Sequence, residues 1–105
     1  MEIVSMVYAQ INNLPNVEKF GLSSQIKRAV VSIPSNIAEG CSRNSNKELN
    51  RYLEISLGSS FELETQLIIC GNLKYLEDEN LSQLLMKIHS FQRMCNSFRS
   101  KILTN

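Results

Sequence analysis

The chain holds one histidine, three cysteines and ten acidic residues, the groups from which a metal site or a cysteine–histidine site would be built. A di-metal centre among helices needs paired Glu-x-x-His motifs. Here the only histidine is His89, and the residue three before it is Met86. A cysteine nucleophile needs a histidine base and a group that orients the base. Cys41, Cys70 and Cys95 are widely spaced, form no C-x-x-C or zinc-ligand pattern, and would have to share His89. The sequence therefore predicts no catalytic residue, no metal ligand and no cofactor. It predicts free thiols, with Cys70 and Cys95 packed as small hydrophobes, and His89 at the surface.

Two polar groupings are left. Gln25, Arg28, Ser32, Asn36 and Glu39 recur at steps of three and four along one helical face, and Glu62, Glu64 and Gln66 follow further on. Buried polar groups need partners. These residues read as a structural network, between helices or at a subunit interface, that fixes register. That reading is preferred here to an acid–base site. The second grouping is basic. Lys27, Arg28, Arg43, Lys47 and Arg51 flank one predicted turn and are candidate phosphate contacts. Glu48 and Glu54 are interleaved with them, and the formal net charge is only +1. A dedicated nucleic-acid binder usually has a clear basic excess.

The elements that position these groups are helices. Ile3, Val7, Ile11 and Leu14 at helical spacing predict a first helix over residues 2–13, ending before Pro15. Residues 14–21 read as a loop whose Val17 and Phe20 plug against the core. The second helix runs from Leu22 to about Gly40, with a stripe of Leu22, Ile26, Ala29 or Val30, Ile33 and Ile37. Pro34 lies inside it, but the stripe stays in phase across the proline. One kinked helix is therefore predicted, with the carbonyl of Val30 freed to find another donor. Residues 41–45 form a polar turn. Ser45 with Glu48 is a capping box that starts the third helix. Its seam is Leu49, Leu53, Ser56, Ser60, Leu63, Leu67 and Cys70. The small residues Ser56, Gly58, Ser59 and Ser60 predict a backbone approaching closely at Gly58. Acidic residues at 77–79 favour a fourth helix start, and Leu81, Leu84 or Leu85, Ile88, Phe91, Cys95, Phe98 and Ile102 carry that helix to about Ile102.

Short connections between four amphipathic helices predict an all-α fold, a single up-down-up-down antiparallel four-helix bundle over residues 1–105. Val4, Val31, Ile55, Leu57, Phe61 and Ile69 fall off the seams and would leave exposed apolar patches, which usually mark association. No run approaches the ~18 apolar residues of a membrane span. The opening residues lack the basic region and cleavage site of a signal peptide, so a cytoplasmic protein is expected.

Residues 25–40 (QIKRAVVSIPSNIAEG) and 43–67 (RNSNKELNRYLEISLGSSFELETQL) carry a resemblance. Together with Gly21 and Leu22 they closely resemble the core pattern of the 23S rRNA intervening-sequence proteins, a four-helix-bundle family. The match spans about half the chain and includes polar and small positions. The chain departs from the pattern in two places. It has no F-x-x-L-x-x-W segment in its first helix, and Lys74 stands where members often have glycine in a left-handed turn. The resemblance implies a ring-shaped homo-oligomer, pentameric in similar proteins, and no assigned activity. Some members are encoded inside insertions in ribosomal RNA genes, and one related group assists a reverse transcriptase through a basic surface. The leading expectation is a non-enzymatic homo-oligomeric scaffold or accessory protein. The alternative is a weak nucleic-acid-binding cofactor of a ribonucleoprotein or reverse transcriptase.

Overall fold

The computed structural model describes residues 2–104, and four α-helices account for most of them. They are α1 (Glu2–Ile11), α2 (Leu22–Cys41), α3 (Asn46–Asn72) and α4 (Asp78–Thr104), with a short 3-10 turn at Asn16–Glu18. There is no strand among the described residues, and none of the helices is long and apolar enough to cross a membrane.

Local chemistry explains the helix ends. Ser45 is extended, and its side chain accepts from the Glu48 N–H at 3.2 Å, which fixes the start of α3. At the other end of α3, the Tyr75 N–H donates to the Cys70 carbonyl and the Lys74 N–H to that of Gly71. These two bonds are a Schellman motif. It requires a left-handed residue, and Lys74 supplies it with φ 66°. The turn that members of the resembled family close with glycine therefore closes here with lysine, at the cost of Cβ crowding.

α2 passes through Pro34 without a break, so no second helix starts at residue 34. The carbonyls that gain side-chain donors are those of Ser32 and Ile33, not that of Val30. Asn36 Nδ2 donates to Ser32 O at 2.8 Å, and Ser56 Oγ to Ile33 O at 2.9 Å.

Each helix packs on two others: α1 on α2 and α4, and α3 on α2 and α4. Bonds between α3 and α4 descend one helix as they climb the other. Asn46 reaches Ile102, Asn50 reaches Arg99, Leu53 reaches Cys95, and Glu64 reaches His89. The main core is Val7, Ile11, Ile26, Ala29, Val30, Ile33, Leu63, Leu67, Cys70, Leu76, Leu84 and Ile88. A second cluster, Leu53, Leu57, Cys95 and Ile102, lies toward the α2–α3 turn. At 1.5 Å per residue α3 and α4 are each about 40 Å long and α1 only about 15 Å. The fourth corner of the bundle is thus filled at one end only.

Several expected placements fail. Val17 and Phe20 do not plug the loop; they are 84% and 90% exposed. The loop is closed instead by its own backbone, with Glu18 N–H on Pro15 O and Gly21 N–H on Glu18 O. Gly58 faces open space, with nothing within 4 Å of a Cβ built there. The glycine that admits a close neighbour is Gly40, where an added Cβ would meet Tyr52 Cβ at 2.9 Å and Leu49 Cδ1 at 3.0 Å. Leu57 is buried in the second cluster rather than off the seam.

Candidate functional site

The polar residues picked out by spacing do not form one network. They separate into two clusters, one on each side of α3. Between α2 and α3, the Ser32 and Ser59 hydroxyls hydrogen-bond at 2.8 Å, and Asn36 Nδ2 donates to Ser32 Oγ at 2.8 Å. Gln66 is buried on the same helix, and its Nε2 donates to Glu62 one turn back at 3.1 Å. Its Oε1 is buried with no partner. Gln25 and Arg28 are exposed and make no side-chain hydrogen bond among the described residues, although both lie on the predicted stripe. Glu39 is exposed too. It accepts from the Ser42 hydroxyl and pairs with Arg43 at 3.3 Å, so it serves the end of α2 rather than the interior.

On the other side of α3, Glu64 faces α4. Gln92 Nε2 donates to Glu64 Oε1 at 3.0 Å and also reaches Ser60 Oγ at 3.3 Å, while His89 Nε2 lies 3.1 Å from Glu64 Oε2. The Gln92 bond, and after it the His89 bond, hold the Glu64 carboxyl below the ordinary carboxylate range. Sequence reasoning left His89 at the surface without a role and missed Gln92 and Ser60. His89 and Gln92 are three apart on α4, on the face that meets α3, but their partner Glu64 lies on another helix. This cluster can hold a carboxylate ionised and fix the α3–α4 register. Glu39, at the end of α2, and Glu62, bonded to Gln66 on α3, share no partner, so the predicted polar residues do not bring these two carboxylates into one acid–base site.

The thiols differ sharply. Cys41 is exposed, whereas Cys70 and Cys95 are buried. Burial, with a smaller effect from Glu18, pushes the Cys70 thiol up to about 11, and burial raises that of Cys95. No group of three or more His, Cys, Asp or Glu that could hold a metal occurs among the described residues.

The basic residues are also dispersed. Arg43 is committed: its guanidinium lies 5.0 Å over the Tyr52 ring and donates to the Tyr52 hydroxyl at 2.8 Å, besides its pairing with Glu39. Lys27 lies 5.5 Å from the Tyr8 ring centroid, near the start of α2. It and Arg28 are about 20 Å along the helix from the α2–α3 turn. Lys47 and Arg51, one turn apart on α3, are exposed. They are in no ion pair among the described residues.

With this geometry in place, the chain can be set beside known proteins. The family model described as 23S rRNA-intervening sequence protein matches residues 1–97. The chain belongs to that family. A solved crystal structure shares the fold. It is a protein of unknown function from the S23 ribosomal protein family of Bacteroides thetaiotaomicron VPI-5482. The two chains are 24% identical and align with a TM-score of 0.86, over 93% of this chain and 92% of the other. No curated protein matches the sequence.

Proposed function

We propose that this intervening-sequence protein is a non-enzymatic, homo-oligomeric helical scaffold or accessory factor. The observation that carries this reading is one stripe of α3. Ile55, Ile69 and Leu73 recur at helical spacing and are 41%, 41% and 50% exposed. Gln66, with its unsatisfied buried carbonyl oxygen, lies on the same stripe. An orphaned acceptor costs roughly 1–3 kcal/mol. A second copy packed on the stripe would cover the apolar side chains. A head-to-tail contact whose rotation closes gives a ring. The family resemblance favours a pentameric one.

Light scattering tests the proposal. The expected result is a particle several times the 11.9 kDa chain mass, reduced to the monomer by Ile69→Glu. A monomer at micromolar concentration in the unmodified protein would refute it.

A second reading, weak RNA contact, is favoured by the cations of Lys47 and Arg51, which are in no ion pair among the described residues. A ring would repeat them around an axis. Phosphate contacts of this kind are largely sequence-independent and weaken steeply with salt. Binding should be detectable at low salt, lost near physiological salt, and reduced by Lys47→Glu with Arg51→Glu. Tight, salt-resistant binding of one RNA would make this reading the primary one.

A further inference from the structure

The short α1 covers only part of α4, and the uncovered part of α4 repeats the covered one. Beside α1, Asn80, Gln83 and Leu84 share a cleft with Met6, Ala9 and Gln10, and Lys87 pairs with Glu2. Two heptads further along α4, and so on nearly the same face, stand Met94, Ser97, Phe98 and Lys101. With Arg93, these four line a second cleft of ≈ 310 Å³. Leu84 under α1 is 1% exposed, whereas its counterpart Phe98 is 45% exposed and Met94 is 70% exposed. Phe91, one heptad before Phe98, is only partly buried.

Charge says what fits against this surface. After Glu79 the sequence has no acidic residue, but it has Lys87, Arg93, Arg99 and Lys101. Lys87 is matched by Glu2 of α1 and Arg99 by Glu54 of α3. Arg93 and Lys101, which flank the exposed Met94 and Phe98, are in no ion pair among the described residues. The carboxylates at this end of the bundle are engaged within the chain: Glu39 with Arg43, Glu48 with Ser45, and Glu54 with Asn50 and Arg99. The helix that answers to this description, acidic at Glu2 and apolar at Ile3 and Met6, is α1, and it is already packed at the other end. The same holds for α1 of any second copy. An apolar helical face flanked by carboxylates, supplied by another protein, complements the cleft.

We propose that this part of α4 docks an acidic amphipathic helix of a partner protein, with apolar side chains on Met94 and Phe98 and carboxylates on Arg93 and Lys101. The bound helix continues the corner of the bundle that α1 begins, and the Glu2–Lys87 pair is the pattern for its contact with Lys101. The scaffold reading uses a stripe of α3 instead, so the two stand or fall separately.

The test is a titration of the full chain with a synthetic helical peptide of about four turns, leucines on one face and glutamates on either side of them. Binding is followed through the amide resonances of residues 91–102. Saturable shifts centred there are the expected result. The same peptide with lysines for glutamates should bind at least about tenfold more weakly. Phe98→Ala, at an exposed position, should weaken the acidic peptide about tenfold. Arg93→Glu with Lys101→Glu should abolish its binding and admit the lysine peptide instead. Lys19→Glu, at the other end of the bundle, and Ile69→Glu, on the α3 stripe, should leave it unchanged. Thermal melts of each variant separate lost binding from lost fold. Absence of binding, shifts centred elsewhere, or equal affinity for the two peptides would overturn the proposal. So would two other occupants of the same residues. Shifts that grow with protein concentration and exclude the peptide would assign the face to a second copy. Broadening by phosphatidylserine-containing vesicles without any response to the peptide would assign it to a lipid surface.

Discussion

At the end of the bundle where α1 lies, four helices close on a core of large aliphatic side chains, including Ile26, Leu63, Leu67, Leu84 and Ile88, all essentially inaccessible to solvent. At the other end α1 is missing, and the buried cluster is only Leu53 and Leu57 of α3 with Cys95 and Ile102 of α4, against which Ile37 of α2 packs. The smaller end has more polar ties between helices. Asn46 donates to the Ile102 carbonyl at 3.1 Å, Arg99 Nε to Asn50 Oδ1 at 2.8 Å, and Ser56 to the Ile33 carbonyl. Met94 and Phe98 lie on α4 at the spacing of the residues that α1 covers further up, and both are exposed. Where a fourth helix is unavailable, directional bonds set the geometry that burial sets elsewhere. Such bonds contribute less net stability each than a buried aliphatic side chain.

The largest expected effect is a truncation at the four-helix end. Leu63→Ala should cost about 2–5 kcal/mol, because its site is closed on all sides and collapses poorly. Leu57→Ala at the three-helix end should cost about 2 kcal/mol or less. Urea midpoints measured at one protein concentration compare the two. Equal losses would mean that the ends are equally well packed.

Glycines sharpen the contrast between interior and surface of the α2–α3 pair. Gly40→Val should destabilise by about 1–3 kcal/mol through overpacking against Tyr52 and Leu49. Gly58→Ala should stabilise by roughly 0.5–1 kcal/mol, since it adds helix propensity in open space. Thermal unfolding of both variants is sufficient. A destabilised Gly58→Ala would place an unseen neighbour, such as a second copy, against the middle of α3.

A smaller effect is expected from the polar ties. Arg99→Ala removes the bond to Asn50 and a 3.8 Å pairing with Glu54. It should cost roughly 0.5–1 kcal/mol. Hydrogen exchange should show the loss in α4 beyond Cys95 and leave the amides around Leu84 unchanged. Uniform loss along α4 would contradict the division into two ends.

The finest effect depends on pH. Glu64 has its pKa lowered in the folded protein, first by Gln92 and then by His89. The folded state therefore releases its proton more readily than the unfolded one. The resulting stabilisation is complete above the ordinary carboxylate pKa and is lost as pH falls through the lowered value. Glu64→Gln should flatten the acid limb of the stability curve. An identical acid limb would show that the contact contributes nothing in solution.

Helix boundaries were legible where a local rule fixed them. Ser45 and Glu48 announce the start of α3, the acidic run announces α4, and the in-phase stripe carries α2 through Pro34. Errors arose where local pattern says nothing about direction. Val17, in the 3-10 turn, and Phe20, in the turn just beyond it, are apolar but stay outside. Gly58 sits among serines that do face inward, but it is two residues from both Ser56 and Ser60, and two steps along a helix turn a side chain to the opposite side. The Glu64, His89 and Gln92 cluster joins residues on two helices, so spacing within either one could not reveal it. Lys74 is legible only as a departure, because a lysine in a left-handed turn looks like any surface lysine in sequence.

The unequal environments of the thiols give the chain a ready chemical handle. Alkylation proceeds through the thiolate. Cys70 and Cys95 are buried with raised pKa values, while Cys41 stands exposed at the end of α2. A maleimide fluorophore at neutral pH should therefore label the native protein once, at the tip of the α2–α3 hairpin. No cysteine would have to be removed first.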